Sequence, residues 1–325
     1  MTGRIVVTGS IATDHLMVFP GRFAEQLISD RLERVSLSFL ADRLDVRRGG
    51  VAANIAFGLA RLGTDPVLVG AAGSDFGDYR AWLEAAGVDT ASVRVSDTLH
   101  TARFVCTTDE DQNQIATFYS GAMVEARRIR LAELPPRIGR PGLVVISPND
   151  PDAMVRHTDE CRELGIPFAA DPSQQLARLD GERVGRLIRG ADLLFVNDYE
   201  AALIAEHTGW TDQQLLEQVG TWVTTVGPAG VVVARAGEPK LHVPAVETEV
   251  RDPTGGGDAF RAGFLAATAG GLAADRAAQL GCALAAVVLE SVGTQEYQLS
   301  RTDLVLRVDR AYGCEAAGEI EKFLP

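Results

Sequence analysis

Residues 251–265 read R-D-P-T-G-G-G-D-A-F-R-A-G-F-L. Three consecutive glycines are followed by an aspartate and then by an apolar, helix-favouring run. Residues 241–250 alternate roughly as a strand does, so a strand-to-helix turn is expected at the glycines. Glycine lets the backbone approach a ligand closely, and successive N–H groups in such a turn can cradle an anion. A helix starting near Asp258 would add its positive end. A carboxylate at that start can take a proton from an alcohol. Cradle and base together suit phosphoryl transfer to a hydroxyl. The plainer alternative is a βα loop with Asp258 as its N-cap. The run matches neither G-x-x-x-x-G-K-[ST] nor G-x-G-x-x-G, so the rest of the chain has to decide.

Working outward, 325 residues suffice for one large core or two domains. A net charge of −13 and a pI near 4.9 argue against nucleic acid or an anionic membrane as partner. A local cradle can still bind a phosphorylated small molecule. Cys106, Cys161, Cys282 and Cys314 are far apart and form no C-x-x-C pair. They read as free thiols of a reducing compartment, with no zinc site. The chain enters its first strand at Arg4 without a basic-then-apolar leader, and no apolar run reaches membrane-span length. The expectation is a cytoplasmic protein.

In chain order, residues 4–8 form a short apolar strand that ends in Gly9-Ser10 and leads to Asp14. A polar cluster there lies at the carboxyl end of a sheet strand, where ligands of α/β proteins bind. Asp14 could accept hydrogen bonds from substrate hydroxyls or simply be a turn residue. Residues 16–48 lack a helix–strand rhythm, although 35–40 alternate like a strand; a detour this long suggests an inserted subdomain. Gly49-Gly50 then opens a helix of small residues with Asn54 on its first turn. Asn54 could reach a ligand or merely cap the helix. Residues 100–105 and 114–118 read as a hairpin carrying Phe104 and Phe118. Aromatics on paired strands usually pack across the ladder, but they can also sandwich a planar base.

From residue 142 strands and helices alternate regularly, which means a mostly parallel sheet with helices on both faces. Five polar, glycine-bearing or carboxylate-bearing clusters fall at strand-to-helix turns or just after strands: Ser10–Asp14, Gly49–Asn54, Asn197–Glu200, Gly227–Gly230 and Asp252–Asp258; Asp171–Gln175 sits at the end of the 168–170 strand. Clusters that share one sheet edge can converge on a site. A loop at Ser291–Thr294 and a C-terminal helix finish the chain.

Residues 252–265, together with Gly49-Gly50-Val51-Ala52-Ala53-Asn54-Ile55-Ala56 and the downstream Gly63 and Gly73, resemble the two signatures of the ribokinase-like, or PfkB, family of carbohydrate and nucleoside kinases. Two long signatures about 200 residues apart, in this order, are specific. The resemblance covers essentially the whole chain. It implies a three-layer α/β/α sandwich with a mostly parallel sheet and a small β-sheet lid. Residues 1–14, 49–98 and 123–325 would form the large domain. Residues 15–48 and 99–122 would form the lid, through which a homodimer would assemble.

The same resemblance implies Asp258 as catalytic base and Gly255, Gly256 and Gly257 as the anion hole. Asp14, Gly49, Gly50 and Asn54 would hold sugar hydroxyls. Asn197 and Glu200, an N-x-x-E motif, would organise Mg²⁺ through water as well as the phosphates. Thr225, Gly227, Gly230 and Gly257 would bind ATP. Asp252 and Thr254, with the Ser291–Thr294 loop, would hold a monovalent cation such as K⁺.

Within the family, Gly9–Met17, Thr101–Phe104, Phe118-Tyr119 and Asp171–Arg178 are similar to the actinobacterial adenosine kinases. By that likeness Phe104 and Phe118 would flank a purine, and Ser10, Gln174, Gln175 and Arg178 would lie near the nucleoside. Adenosine and ATP would then be converted to AMP and ADP, a purine-salvage reaction. The alternatives are a sugar kinase or a kinase of another nucleoside. A non-catalytic relative is disfavoured by the intact Asp258 and glycine run.

Overall fold

The computed structural model describes residues 3–26 and 37–324. In chain order its strands are β1 (Ile5–Thr8), β2 (Ala12–Val18), β3 (Arg43–Gly49), β4 (Val67–Ala72), β5 (Asp89–Val95), β6 (Ala102–Thr108), β7 (Gln114–Tyr119), β8 (Leu143–Ile146), β9 (Phe168–Ala170), β10 (Leu193–Asn197), β11 (Thr221–Thr225), β12 (Val231–Ala234) and β13 (Leu241–Val243). Nine of them form one sheet of order β13-β12-β11-β10-β9-β8-β1-β4-β5. It is parallel from β11 to β5, and β12 and β13 are added antiparallel at one edge.

Alternation along these strands builds two cores. Ile5 and Val7 face one way, with Leu193, Phe195 and the helices Val51–Arg61, Gly256–Ala269 and Ala274–Leu289. Val6 faces the other, with Leu194, Val196 and the helices Pro151–Leu164 and Gly181–Ile188. Because both faces are covered, strands such as L-V-V-I at 143–146 are apolar throughout rather than alternating. The three-layer α/β/α sandwich with a second small sheet is the expected architecture.

The small sheet has the order β3-β2-β6-β7. Its first strand starts at Ala12 rather than at His15, and β3 runs to Gly49, so strands of this sheet reach past the expected lid boundaries. The strand expected at 35–40 lies partly outside the described residues, and residues 37–40 carry no strand; the second strand of the detour is Arg43–Gly49.

The approach to the glycine run also differs from expectation. Only Leu241–Val243 is a strand, and residues 244–255 are a loop. Pro244 offers no N–H to a ladder, and its carbonyl instead accepts from the Tyr312 hydroxyl. The sheet edge at β5 was not anticipated: its sequence D-T-A-S-V-R-V is polar and half-buried. Two helices, Arg301–Tyr312 and Cys314–Phe323, close the chain where one was expected.

Candidate active site

Strands β1, β8, β9, β10 and β11 run parallel, so their carboxyl ends share one edge of the large sheet. The chain also reverses direction along the sheet at β1, between β4 and β8, which opens a crevice at that edge. Ser10, Asp171 and Gly227 follow strands there, and Asn197 ends β10.

The glycine run begins the helix Gly256–Ala269, and each glycine has its own cause. Gly255 has φ 81°, a left-handed conformation that a side chain would strain, and a Cβ there would lie 2.7 Å from the Thr294 methyl. A Cβ on Gly256 would meet Leu289 at 2.9 Å, and one on Gly257 would meet Arg261 Nη1 at 2.8 Å. The N–H groups of this first turn have no helical partner and can bind an anion. Gly50 plays a similar part at its own junction, entering the helix Val51–Arg61 with φ 94°.

Asp258 stands two residues into the Gly256–Ala269 helix, with its side chain 14% exposed. Asn54 Nδ2 donates to its Oδ2 at 2.8 Å. The orientation of the Asn54 amide is fixed from behind. Its Oδ1 accepts from the Thr294 hydroxyl and from Gln295 Nε2, each at 2.9 Å. Gln295 also donates to Tyr79 Oη at 2.6 Å and accepts from Trp82 Nε1 at 3.1 Å, while the Tyr79 hydroxyl donates to the Gly49 carbonyl. Trp82, Gln295, Asn54 and Asp258 therefore form one hydrogen-bonded chain. Burial raises the Asp258 carboxyl above its usual value; Arg261 and then Asn54 oppose that rise. Sequence reasoning missed Gln295, Tyr79 and Trp82, because nothing local marks a buried amide that acts through another side chain.

Two cavities flank this turn, one lined by Gly257 and the other by its neighbour Asp258. The larger, about 600 Å³, is lined by Thr225, Gly227, Gly230, Gly256 and Gly257, with apolar walls including Val246, Val250 and Leu289. The second, about 470 Å³, is lined by Ser10, Asp14, Gly50, Asn54, Phe104, Phe118, Gln174, Gln175, Arg178, Thr254 and Asp258. Gly49, Asn197, Glu200, Asp252 and Gly255 line neither. A Cβ on Gly49 would lie 2.8 Å from the Asp14 carboxylate, so this glycine makes room for Asp14.

The second cavity has an ordered wall. Asp14 on β2 is in register with Phe104 on β6, and Phe104 with Phe118 on β7. Register partners share a face, so the carboxylate and both rings line up along one rung of the small sheet. Asp14 is pushed up to about 6, first by burial and then by Asp252, Glu296 and Asp258. Gln175 is buried, and its Oε1 has no hydrogen-bond partner among the described residues. A polar atom so placed in a cavity wall is available to a ligand.

Asn197 and Glu200 form a capping box: the Asn197 side chain accepts from the Glu200 N–H at 2.7 Å, and the Glu200 carboxylate from the Asn197 N–H at 2.8 Å. Asp252 accepts from the N–H groups of Thr254 and Gly293, both at 2.9 Å. Burial opposes it, but these bonds and the Arg47 charge hold the Asp252 carboxyl below its usual range. No group of three or more His, Cys, Asp or Glu among the described residues could hold a metal ion. Hard oxygen donors such as Glu200 and Asn197 fit Mg²⁺ that keeps its waters and arrives with phosphates.

A family model described as pfkB family carbohydrate kinase matches residues 8–301. The chain belongs to the PfkB family. Among PfkB relatives, a nucleoside kinase of Methanothermobacter thermautotrophicus is 32% identical over 88% of this chain and 92% of its own length. The structure of Burkholderia thailandensis nucleoside kinase in complex with inosine is 34% identical, with TM-score 0.83, covering 95% of this chain and 98% of that one. Arabidopsis thaliana ribokinase complexed with ribose and ATP shares the fold at TM-score 0.78 with 21% identity. The protein is thus a phosphotransferase of the sugar and nucleoside kinase type. No helix among the described residues is long and apolar enough to cross a membrane.

Proposed function

We propose that the protein transfers the γ-phosphoryl group of ATP to the 5′-hydroxyl of a purine nucleoside, with adenosine as substrate and AMP and ADP as products. One observation carries the reading: Asp258 and the glycine turn lie between an apolar cavity suited to the ATP base and a cavity walled by the Asp14–Phe104–Phe118 rung. Two aromatic rings beside a carboxylate suit a flat base joined to a hydroxyl-bearing sugar. A free sugar would leave the rings without a partner.

In this mechanism Asp14 and Asn54 hold the ribose hydroxyls. Asp258 accepts the 5′-hydroxyl proton as the new O–P bond forms and the bond to the ADP oxygen breaks. The N–H groups of Gly255–Gly257 stabilise charge on the transferred group. Glu200 and Asn197 would hold Mg²⁺ through water, and the ion would neutralise phosphate charge. Asp252 and Thr254 would hold K⁺ if the ion binds beside this turn.

The small sheet acts as a lid and as a dimer interface. Support for the interface comes from register: Leu44, Val46 and Ile115 sit on rungs of opposite parity to Asp14 and are exposed, so an apolar face points away from the cavity. Sedimentation that finds only monomer at micromolar concentration would remove the dimer. The free cysteines support a cytoplasmic setting.

The complex of the Burkholderia relative with inosine favours a second reading, in which a 6-oxopurine is preferred. An amide at Gln174 or Gln175 can present either its donor or its acceptor to position 6 of the base. Replacing Phe104 and Phe118 singly by Leu tests the nucleoside reading: KM for the nucleoside should rise about tenfold with kcat nearly kept, in line with the loss of 1–1.5 kcal/mol of aromatic contact. An unchanged KM in both variants would return the rings to lid packing.

A further inference from the structure

Arg261 lies three residues after Asp258 on the same helix, and its side chain is 11% exposed. Its Nη2 donates to Asp171 Oδ1 at 2.6 Å, while its Nη1 lies 4.0 Å from Asp258 Oδ1. That same Nη1 occupies the space a Cβ at position 257 would need. The guanidinium is thus packed directly against the third glycine of the turn. Asp171 is fully buried just beyond β9. Its Oδ2 and Arg261 Nε have no hydrogen-bond partner among the described residues. A buried ion pair that served stability alone would satisfy both groups. Here one end of the guanidinium is pinned, and the other is presented to the carboxylate that faces the second cavity.

We propose that Arg261 is a positioning residue for phosphoryl transfer: clamped by Asp171, its guanidinium keeps the Asp258 carboxylate charged and seated beside Gly257, and the Asp171 charge sets how much of that influence Asp258 receives. The inference rests on the reading of Asp258 as the base. Arg178 lines the second cavity with Asp258, and Arg47 acts on Asp252; the remaining charged groups at this corner are acidic. They are Asp14 on β2, Asp171 beyond β9 and Glu200 on the helix Asp198–Thr208, with Asp252 and Glu296 acting on Asp14 from neighbouring loops. Asp14 and Asp171, each raised in turn by the Asp258 charge, disfavour charge on Asp258. The Arg261 guanidinium and the Asn54 amide favour it.

The test is the pH profile of kcat/KM for adenosine or inosine with MgATP, in wild type, Arg261→Met, Arg261→Lys, Asp171→Asn and Asp258→Asn. Titration of the Asp258 carboxyl by ¹³C NMR gives the same readout without turnover. Arg261→Met should move the acid limb up by about one pH unit or more, with activity regained at higher pH. Arg261→Lys should stay nearer to wild type. Asp171→Asn keeps a neutral tether and leaves the Arg261 charge to Asp258, so the limb should move down. A merely structural pair would lower activity at every pH and leave the limb in place. Limbs unmoved in both Arg261→Met and Asp171→Asn would overturn the proposal; if Arg261→Met does not fold, Asp171→Asn with Arg261→Lys decides. An active Asp258→Asn enzyme would overturn the base itself, whereas an inactive one with unmoved limbs elsewhere would overturn only the part given to Arg261.

Discussion

The Asn54 amide nitrogen stands 2.8 Å from a carboxylate oxygen of Asp258, joining two motifs 204 residues apart in the chain. The contact is made possible by close helix packing. A Cβ on Gly58 would lie 2.7 Å from that of Ala262, so the helices Val51–Arg61 and Gly256–Ala269 touch almost backbone to backbone. Both helices are rich in buried small residues, Ala52, Ala53 and Ala56 on one and Ala259 and Ala262 on the other. Small side chains here bring an amide to a base.

Gly58→Val should therefore separate the two helices. The expected cost is about 1–3 kcal/mol of stability from overpacking, together with a fall in kcat larger than any change in KM. Thermal unfolding and steady-state kinetics on the same sample check both. A variant with normal stability and normal kcat would show that the spacing is not needed.

Asp258→Asn keeps the shape of the side chain and removes its basicity. The loss in kcat should be about a hundred- to ten-thousand-fold, with nucleoside binding retained. Calorimetric binding of adenosine alongside turnover separates the two quantities. Turnover at the wild-type rate would end the assignment.

Gln295→Leu removes the amide that orients Asn54 and leaves Tyr79, Trp82 and Asn54 each without a partner they now have. Stability should drop by about 1–3 kcal/mol through the stranded polar groups. kcat should fall with it, because Asn54 is then free to rotate away from Asp258. If kcat is untouched while stability drops, Gln295 serves the fold alone.

Asp14 carries a raised carboxyl, at about 6 against an ordinary 3.8. The native state therefore disfavours its charge. The penalty is absent below the unfolded value, grows between roughly 4 and 6 and is complete above that. Asp14→Asn should stabilise the protein by about 1–2 kcal/mol at pH 7.5 and by nothing at pH 3.5, while KM for the nucleoside rises. Denaturant unfolding at the two pH values checks the sign. A variant less stable than wild type at pH 7.5 would contradict it.

Much of this site could be read from the chain because its residues sit in local motifs at strand ends. The glycine run, Asn54 after Gly50, and Asn197 with Glu200 are each marked by their neighbours. Phe104 and Phe118 were visible as hairpin residues, but their alignment with Asp14 is a matter of register across three strands and has no local signature. Gln295, Tyr79 and Trp82 were invisible for a related reason: each acts through contacts distant in sequence. The apparent strand at 241–250 misled because alternation also describes a loop that turns apolar side chains such as Val246 and Val250 into a cavity.

Most directly, the central claim is tested by ADP release from MgATP in the presence of adenosine, inosine, other nucleosides, ribose or fructose, each with and without K⁺. Turnover of adenosine at micromolar concentration with the free sugars inert is the predicted result. Turnover of a free sugar with every nucleoside inert would contradict it.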